Sequence, residues 1–137
     1  MRRTRLPALA AATLFLIPAA ALSASPRETI TPAFNEAIPN VPGKSLVAVV
    51  VSYPPGGKTP SHRHGSAFVT AYVLSGAIRS QVEGEPAHIY HAGESWSEQP
   101  GAHHLVSENA SATEPAKLLA ILVADTGDTA LTVFDAR

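Results

Sequence analysis

Gly56-Gly57-Lys58-Thr59-Pro60-Ser61-His62-Arg63-His64 and Gly93-Glu94-Ser95-Trp96-Ser97-Glu98-Gln99-Pro100-Gly101-Ala102-His103-His104 carry four of the six histidines of a 137-residue chain. In the first stretch two imidazoles stand at i and i+2, so on a β-strand both point to one face and can chelate. The second stretch is bounded by glycine and ends on another histidine pair. Three imidazoles converging on one point form a mononuclear site with positions open for water or substrate. Cysteine is absent, which excludes disulfides, thiolate metal sites and a cysteine nucleophile, and leaves nitrogen and oxygen as the only donors.

Outward from these stretches, short runs rich in Val, Ile, Leu, Thr and Tyr alternate with glycine and proline punctuation. That is the pattern of an all-β sandwich or barrel. Strands are predicted at Ser45–Tyr53, His62–His64, Phe68–Leu74, Ala77–Val82, Ala87–Tyr90, Ser95–Glu98, His104–Glu108, Lys117–Ala124 and Ala130–Phe134. Pro54-Pro55-Gly56-Gly57, Ser75-Gly76, Glu83-Gly84, Ala92-Gly93, Pro100-Gly101 and Thr126-Gly127 supply the turns. No long amphipathic helix competes. Leu46–Val51 and Leu118–Val123 are apolar at every position, whereas a strand with one wet face alternates. Either both lie in a thick core, or something covers their outer side: the proline-rich segment before them or a second subunit, which would make a homodimer.

At 45% hydrophobic and 15% charged residues, the chain is too apolar for a disordered polymer and fits a single domain. A net charge of −1 and 6% aromatic residues, with scattered Lys and Arg, leave no footprint for nucleic acid. Met1-Arg2-Arg3-Thr4-Arg5 is a basic start, Leu6 to Leu22 is apolar, and Leu22-Ser23-Ala24 offers small residues for cleavage. Residues 1–24 therefore read as a secretory signal peptide, and the expected location is periplasmic or secreted, with no stable membrane anchor after cleavage. A membrane span is the alternative, but the apolar run is short and holds Pro7 and Pro18. Residues 25–43, with Pro26, Pro32, Pro39 and Pro42, read as an extended arm, and the folded domain is expected over 44–137.

The two histidine stretches resemble the two motifs of the cupin superfamily. G(X)5HXH(X)3–4E(X)6G is matched by Gly56, His62, His64 and Gly76, with Val69 where the glutamate belongs. G(X)5PXG(X)2H(X)3N is matched by Gly93, Gly101 and His104, with Gln99 in the proline position and Asn109 one residue late. The resemblance spans Ser45 to Val123. It implies a single-domain jelly-roll (double-stranded β-helix) barrel and metal ligands His62, His64 and His104, with His103 turned the other way. Such a three-histidine site suits one divalent transition metal, Fe, Mn, Zn, Ni or Cu alike.

Loss of the glutamate leaves two readings, a dead site or a three-histidine site that keeps the full dipositive charge on the metal. If the strand after Gly93 alternates regularly, Trp96 and Glu98 point into the barrel. A buried glutamate is costly unless paired or bound to metal, so Glu98 is expected to be a fourth ligand or a general acid/base, unless a bulge near Gln99 turns it to solvent. Tyr72, Tyr90, Trp96, Phe68 and Phe134 are candidates for the core or the wall of a pocket; Arg63, His88 and His91 are expected at the surface. The resemblance implies O2-dependent, dioxygenase-like oxidation of a small organic molecule; the alternatives are a non-catalytic module capturing a small anionic or sugar-like ligand, and isomerase or hydrolase chemistry.

Overall fold

The computed structural model describes residues 26–136; the signal sequence predicted over 1–24 lies outside them. Among the described residues there are eleven strands and no helix. They are β1 (Thr29–Ala37), β2 (Lys44–Tyr53), β3 (Lys58–Thr59), β4 (His62–Arg63), β5 (Phe68–Ser75), β6 (Ala77–Val82), β7 (His88–His91), β8 (Ser95–Glu98), β9 (His103–Asn109), β10 (Ala116–Asp125) and β11 (Val133–Phe134). Two antiparallel sheets face each other, ordered β1-β2-β10-β5-β8 and β11-β4-β9-β6-β7, with β3 pairing β9 beside the second path. This is the all-β architecture expected from the strand pattern and the jelly-roll that the resemblance implies.

The apolar strands β2 and β10 lie at the middle of the first sheet, in register from Ala116↔Tyr53 to Asp125↔Lys44. Their period-2 alternation sends Val47, Val49, Val51, Leu118, Ala120 and Leu122 inward to line the barrel cavity. Val73 and Ile78, both fully buried, close the core beyond it with Tyr53 and Trp96. The β5–β6 corner turns at Gly76, whose φ of +71° suits glycine. A Cβ there would lie 2.7 Å from the Pro115 carbonyl oxygen and 2.8 Å from the Ala116 Cβ, so position 76 has no room for a side chain.

The structure differs from the sequence reading in the segment 25–43. It is extended, as its prolines require, but Thr29–Ala37 is a strand of the first sheet, paired antiparallel with β2; sheet structure therefore begins before residue 44. The ladder admits Pro32 because β1 is the sheet's edge and the register shifts between Pro32 and Phe34, and a proline is tolerated at an edge or a bulge. The arm thus extends the sheet sideways instead of lying over its outer face. Phe34, Tyr72 and Leu74 remain exposed on that face, beside half-buried Val50, Leu119 and Ile121. Two predicted strands are shorter than expected: His62–His64 pairs only through Arg63, and Ala130–Phe134 only at Val133 and Phe134.

Candidate metal centre

β4 and β9 are paired with His62 opposite His104, and directly opposed residues share a face. His64, just past β4, completes the group. Ligand atoms of His62, His64 and His104 all lie within 4.8 Å of one another, so the fold gathers the three histidines that the sequence motifs single out. His62 and His104 are 4% and 3% exposed, and His64 is partly buried. His103, opposite Arg63, turns away as the alternation requires; its Nε2 lies 2.8 Å from an Asp135 carboxylate oxygen.

Backbone carbonyls fix two of the rings. Nδ1–H of His62 donates to the Pro60 carbonyl and Nδ1–H of His64 to the Leu131 carbonyl, both at 2.7 Å. A carbonyl can only accept, so Nδ1 holds the proton and Nε2 of each neutral ring is a bare lone pair. Those two Nε2 atoms are 3.1 Å apart. Burial pushes the pKa of both rings down. His104 falls furthest, to about 3, through burial and then the neighbouring His62 and His64. Two neutral imidazoles with converging lone pairs and outer nitrogens held by backbone carbonyls, beside a third neutral ring that meets the Ser80 hydroxyl, make an arrangement of the kind by which proteins hold a cation. A shared ion at about 2.1 Å from each donor sets neighbouring donors roughly 3.0–3.4 Å apart, and the His62–His64 spacing falls in that range.

Glu98 faces the same point. β8 alternates out-in-out-in, which buries Trp96 and leaves Glu98 2% exposed, so no bulge turns it to solvent. Its Oε1 accepts a hydrogen bond from Trp96 Nε1 at 3.1 Å and lies 3.1 Å from His104 Nδ1; its Oε2 lies 3.7 Å from His64 Nε2. Burial raises the Glu98 pKa against the opposing Trp96 hydrogen bond. Glu98 Oε2 and His104 Nδ1 are both buried without a hydrogen-bond partner. Unsatisfied buried polar atoms of this kind are rare in folded proteins, and a cation at the focus of the cluster would satisfy both. The residues present therefore fit a metal ion.

The cluster opens into a cavity of about 130 Å³, with Ile30, Val69, Ala71, Trp96, Leu131 and Phe134 on its wall beside the inward residues of β2 and β10. Among the described residues, no lysine or arginine lines it. Of the candidate aromatics, Trp96 and Phe134 reach the cavity, Tyr90 stacks on Trp96 at 4.8 Å, and Tyr72 is exposed. Arg63, His88 and His91 are on the surface, as predicted.

Sequence reasoning missed Tyr53. Its hydroxyl lies 2.7 Å from Thr59 Oγ1 and 2.8 Å from Ser107 Oγ, and all three residues line the cavity. The available signal was its place in the inward series Val47, Val49, Val51. Also missed were Ser80, whose Oγ lies 2.8 Å from His104 Nε2, and the contacts that the strap over 131–135, read from sequence only as part of a strand with Phe134 a candidate wall residue, makes with the histidines. Leu131 holds His64, Phe134 packs on His62, and Asp135 accepts from Ser61 Oγ at 2.6 Å as well as facing His103.

The cupin domain family model matches residues 49–122, more than half of the chain and the span that holds both histidine motifs. The chain belongs to the cupin family. No curated protein matches this cupin by sequence. Among solved structures it is similar to the Schizosaccharomyces pombe Cnp3 cupin domain, with TM-score 0.61, 19% identity and coverage of 72% of this chain and 62% of that one. It is similar to the DMSP lyase DddQ from Ruegeria pomeroyi DSS-3, with TM-score 0.56, 25% identity and coverage of 65% and 42%. An oxalate oxidase in complex with the substrate analogue glycolate gives TM-score 0.60, 20% identity and coverage of 78% and 54%. This cupin spans less than two thirds of the length of each of the three.

Proposed function

We propose that this cupin holds one divalent transition metal through His62, His64 and His104 and carries out O2-dependent oxidation of a small, largely apolar organic molecule. The observation that carries the metal is the pair of bare Nε2 atoms at 3.1 Å, each ring locked by a backbone carbonyl. Bound there, Fe, Mn, Cu, Ni or Zn would supply Lewis acidity, and the redox-active ions among them would also activate dioxygen.

The chain's own residues set what can react. A cavity of about 130 Å³ compares with the roughly 150 Å³ engineered cavity that takes benzene, so a ligand of about that size fits. The aliphatic wall of β2 and β10 favours an apolar body, while Tyr53, Thr59 and Ser107 offer hydroxyls to a polar group. A small dianion such as oxalate finds no cationic side chain in the wall among the described residues, and a sugar finds too few polar partners. In a dioxygenation both oxygen atoms enter the product and the substrate supplies all the electrons, so no further reductant is needed. The strap over 131–135 lies beside the reacting centre, with the Phe134 ring against His62 at 5.9 Å between centroids.

Export to the periplasm or outside the cell is part of the proposal. The basic start, apolar run and small residues of 1–24 support it.

Elemental analysis of protein purified without a histidine tag, then oxygen consumption with small catechols, thiols and diketones, tests the proposal. Redox metal and oxygen uptake lost in His62→Ala are expected; a metal-free parent, or His62→Ala and His104→Ala that keep metal and activity, would refute it. The apolar wall also favours a second reading, capture of a small molecule without turnover, and tight ligand binding with no oxygen uptake would select it.

A further inference from the structure

We infer that Glu98 is a protein ligand of the metal, the carboxylate of the site having moved across the sheet from position 69 to its partner on the neighbouring strand. The inference rests on the metal reading above and goes beyond it. β5 and β8 pair with Val69 directly opposite Glu98. Both side chains are buried and line the cavity. Opposed residues of an antiparallel pair have Cβ atoms about 4.5–5.5 Å apart on the same face, a gap that the glutamate side chain spans. A carboxylate rooted at 98 therefore reaches the region that one rooted at 69 would reach.

Three further observations support this assignment. Glu98 Oε2 is buried with no hydrogen-bond partner, while Oε1 accepts from the indole N–H of Trp96. One oxygen is thus oriented and the other is left free to donate. Oε2 lies 3.7 Å from His64 Nε2, a few tenths of an ångström beyond the donor spacing around a shared ion, and Oε1 lies 3.1 Å from His104 Nδ1. Val69 fills the vacated position with an apolar side chain, 2% exposed, that packs with Ala67, Leu122 and Ala124. The exchange leaves the number of carboxylates facing the histidines at one. It also lowers the net charge of the loaded centre from that of three neutral imidazoles, so a neutral or singly charged substrate gains relative to a dianion.

The test uses the full chain with metal removed, titrated with cobalt(II) by calorimetry and by its visible absorption. The parent should bind one equivalent. Glu98→Gln should weaken binding by at least the roughly 10–100-fold seen when a ligand's support is lost, and its cobalt spectrum should change. The exchanged double variant Val69→Glu with Glu98→Val should regain affinity to within about tenfold of the parent, on the same scale. Glu98→Gln that binds with the parent's affinity and spectrum overturns the assignment. So does weakened binding with an unchanged spectrum that the exchange does not rescue, because that describes an outer support and not a ligand. Should Glu98→Gln fail to fold, the double variant decides: recovered binding supports the transfer, and a folded but non-binding protein overturns it. His62→Ala runs alongside, and full cobalt binding by that variant would mean that the metal reading itself is false.

Discussion

Acid should destabilise the metal-free protein, and His104 sets the scale. In the folded chain its pKa is about 3, against about 6.5 when unfolded. As pH falls below about 6.5 the unfolded chain takes up a proton that the folded chain refuses until about pH 3, so the balance moves towards unfolding. Stability is whole above pH 6.5 and is lost progressively down to pH 3. At about 1.4 kcal/mol per unit, His104 accounts for roughly 2 kcal/mol by pH 5 and about 5 kcal/mol over the full window. Burial lowers His62 and His64 as well, so their contributions have the same sign. Glu98 acts in the opposite sense. Its pKa is raised, so the folded chain takes up a proton first and gains stability as pH falls through the raised value, but one carboxyl opposes three rings. Against a total of about 5–15 kcal/mol for a domain of this kind, the loss is easily measured. Urea unfolding of chelator-treated protein at pH 7.5 and pH 5 should show at least 2 kcal/mol lost in the parent and about 2 kcal/mol less in His104→Gln. Equal losses in the two proteins would refute the reasoning. Saturating metal, at about a thousandfold over its dissociation constant, should add about 4 kcal/mol at pH 7.5.

Gly76→Ala should cost about 2–5 kcal/mol in chemical unfolding, from left-handed backbone strain plus overlap with Pro115 and Ala116, whereas Gly56→Ala, with the same sign of φ and open space, should cost about 1–2 kcal/mol. Ala120→Leu puts a longer side chain into the cavity wall, and should abolish binding of a benzene-sized probe while leaving the cobalt titration unchanged. The outer face of the first sheet measures roughly 20 Å by 30 Å from strand spacing and rise, about 600 Å², at the lower end of the roughly 600–1,000 Å² per partner of a standard interface. A second copy of this chain is the expected cover, and sedimentation should show a dimer that Ile121→Lys, on the central strand of that face, turns into a monomer.

How much of this could be read from the sequence depended on the range of the interaction. The strands follow from period-2 alternation within each run, and His62, His64 and His104 from spacings inside two glycine-bounded stretches. The inward aim of Glu98 is also a local consequence of alternation along β8. What Glu98 meets is not local, because the register that sets it opposite Val69 depends on how β5 and β8 pair. The same applies to Tyr53 with Ser107, Ser80 with His104, and the Leu131 carbonyl with His64. Each joins residues from separate strands or loops, and a lone serine or a backbone carbonyl carries no mark of such a role. β1 was hidden for a different reason: its prolines argue against a strand unless it is known to lie at an edge.

The lost glutamate of the first motif has a different meaning once register is considered. Position 69 on its own reads as a site that has given up its carboxylate, and a three-histidine centre would then favour dianions through its full charge. The barrel shows instead a buried carboxylate on the strand next door, and among the described residues no lysine or arginine on the cavity wall. Both features weaken the hold on a doubly charged ligand, and the aliphatic side chains of β2 and β10 strengthen it on an apolar one. Replacing Val49, half-buried in that wall, with lysine should therefore reverse the preference. Competition between oxalate and a neutral diketone for the cobalt-loaded protein measures it. The parent should select the diketone, Val49→Lys should select oxalate, and a parent that already prefers oxalate would show that the metal's charge, and not the wall, governs recognition.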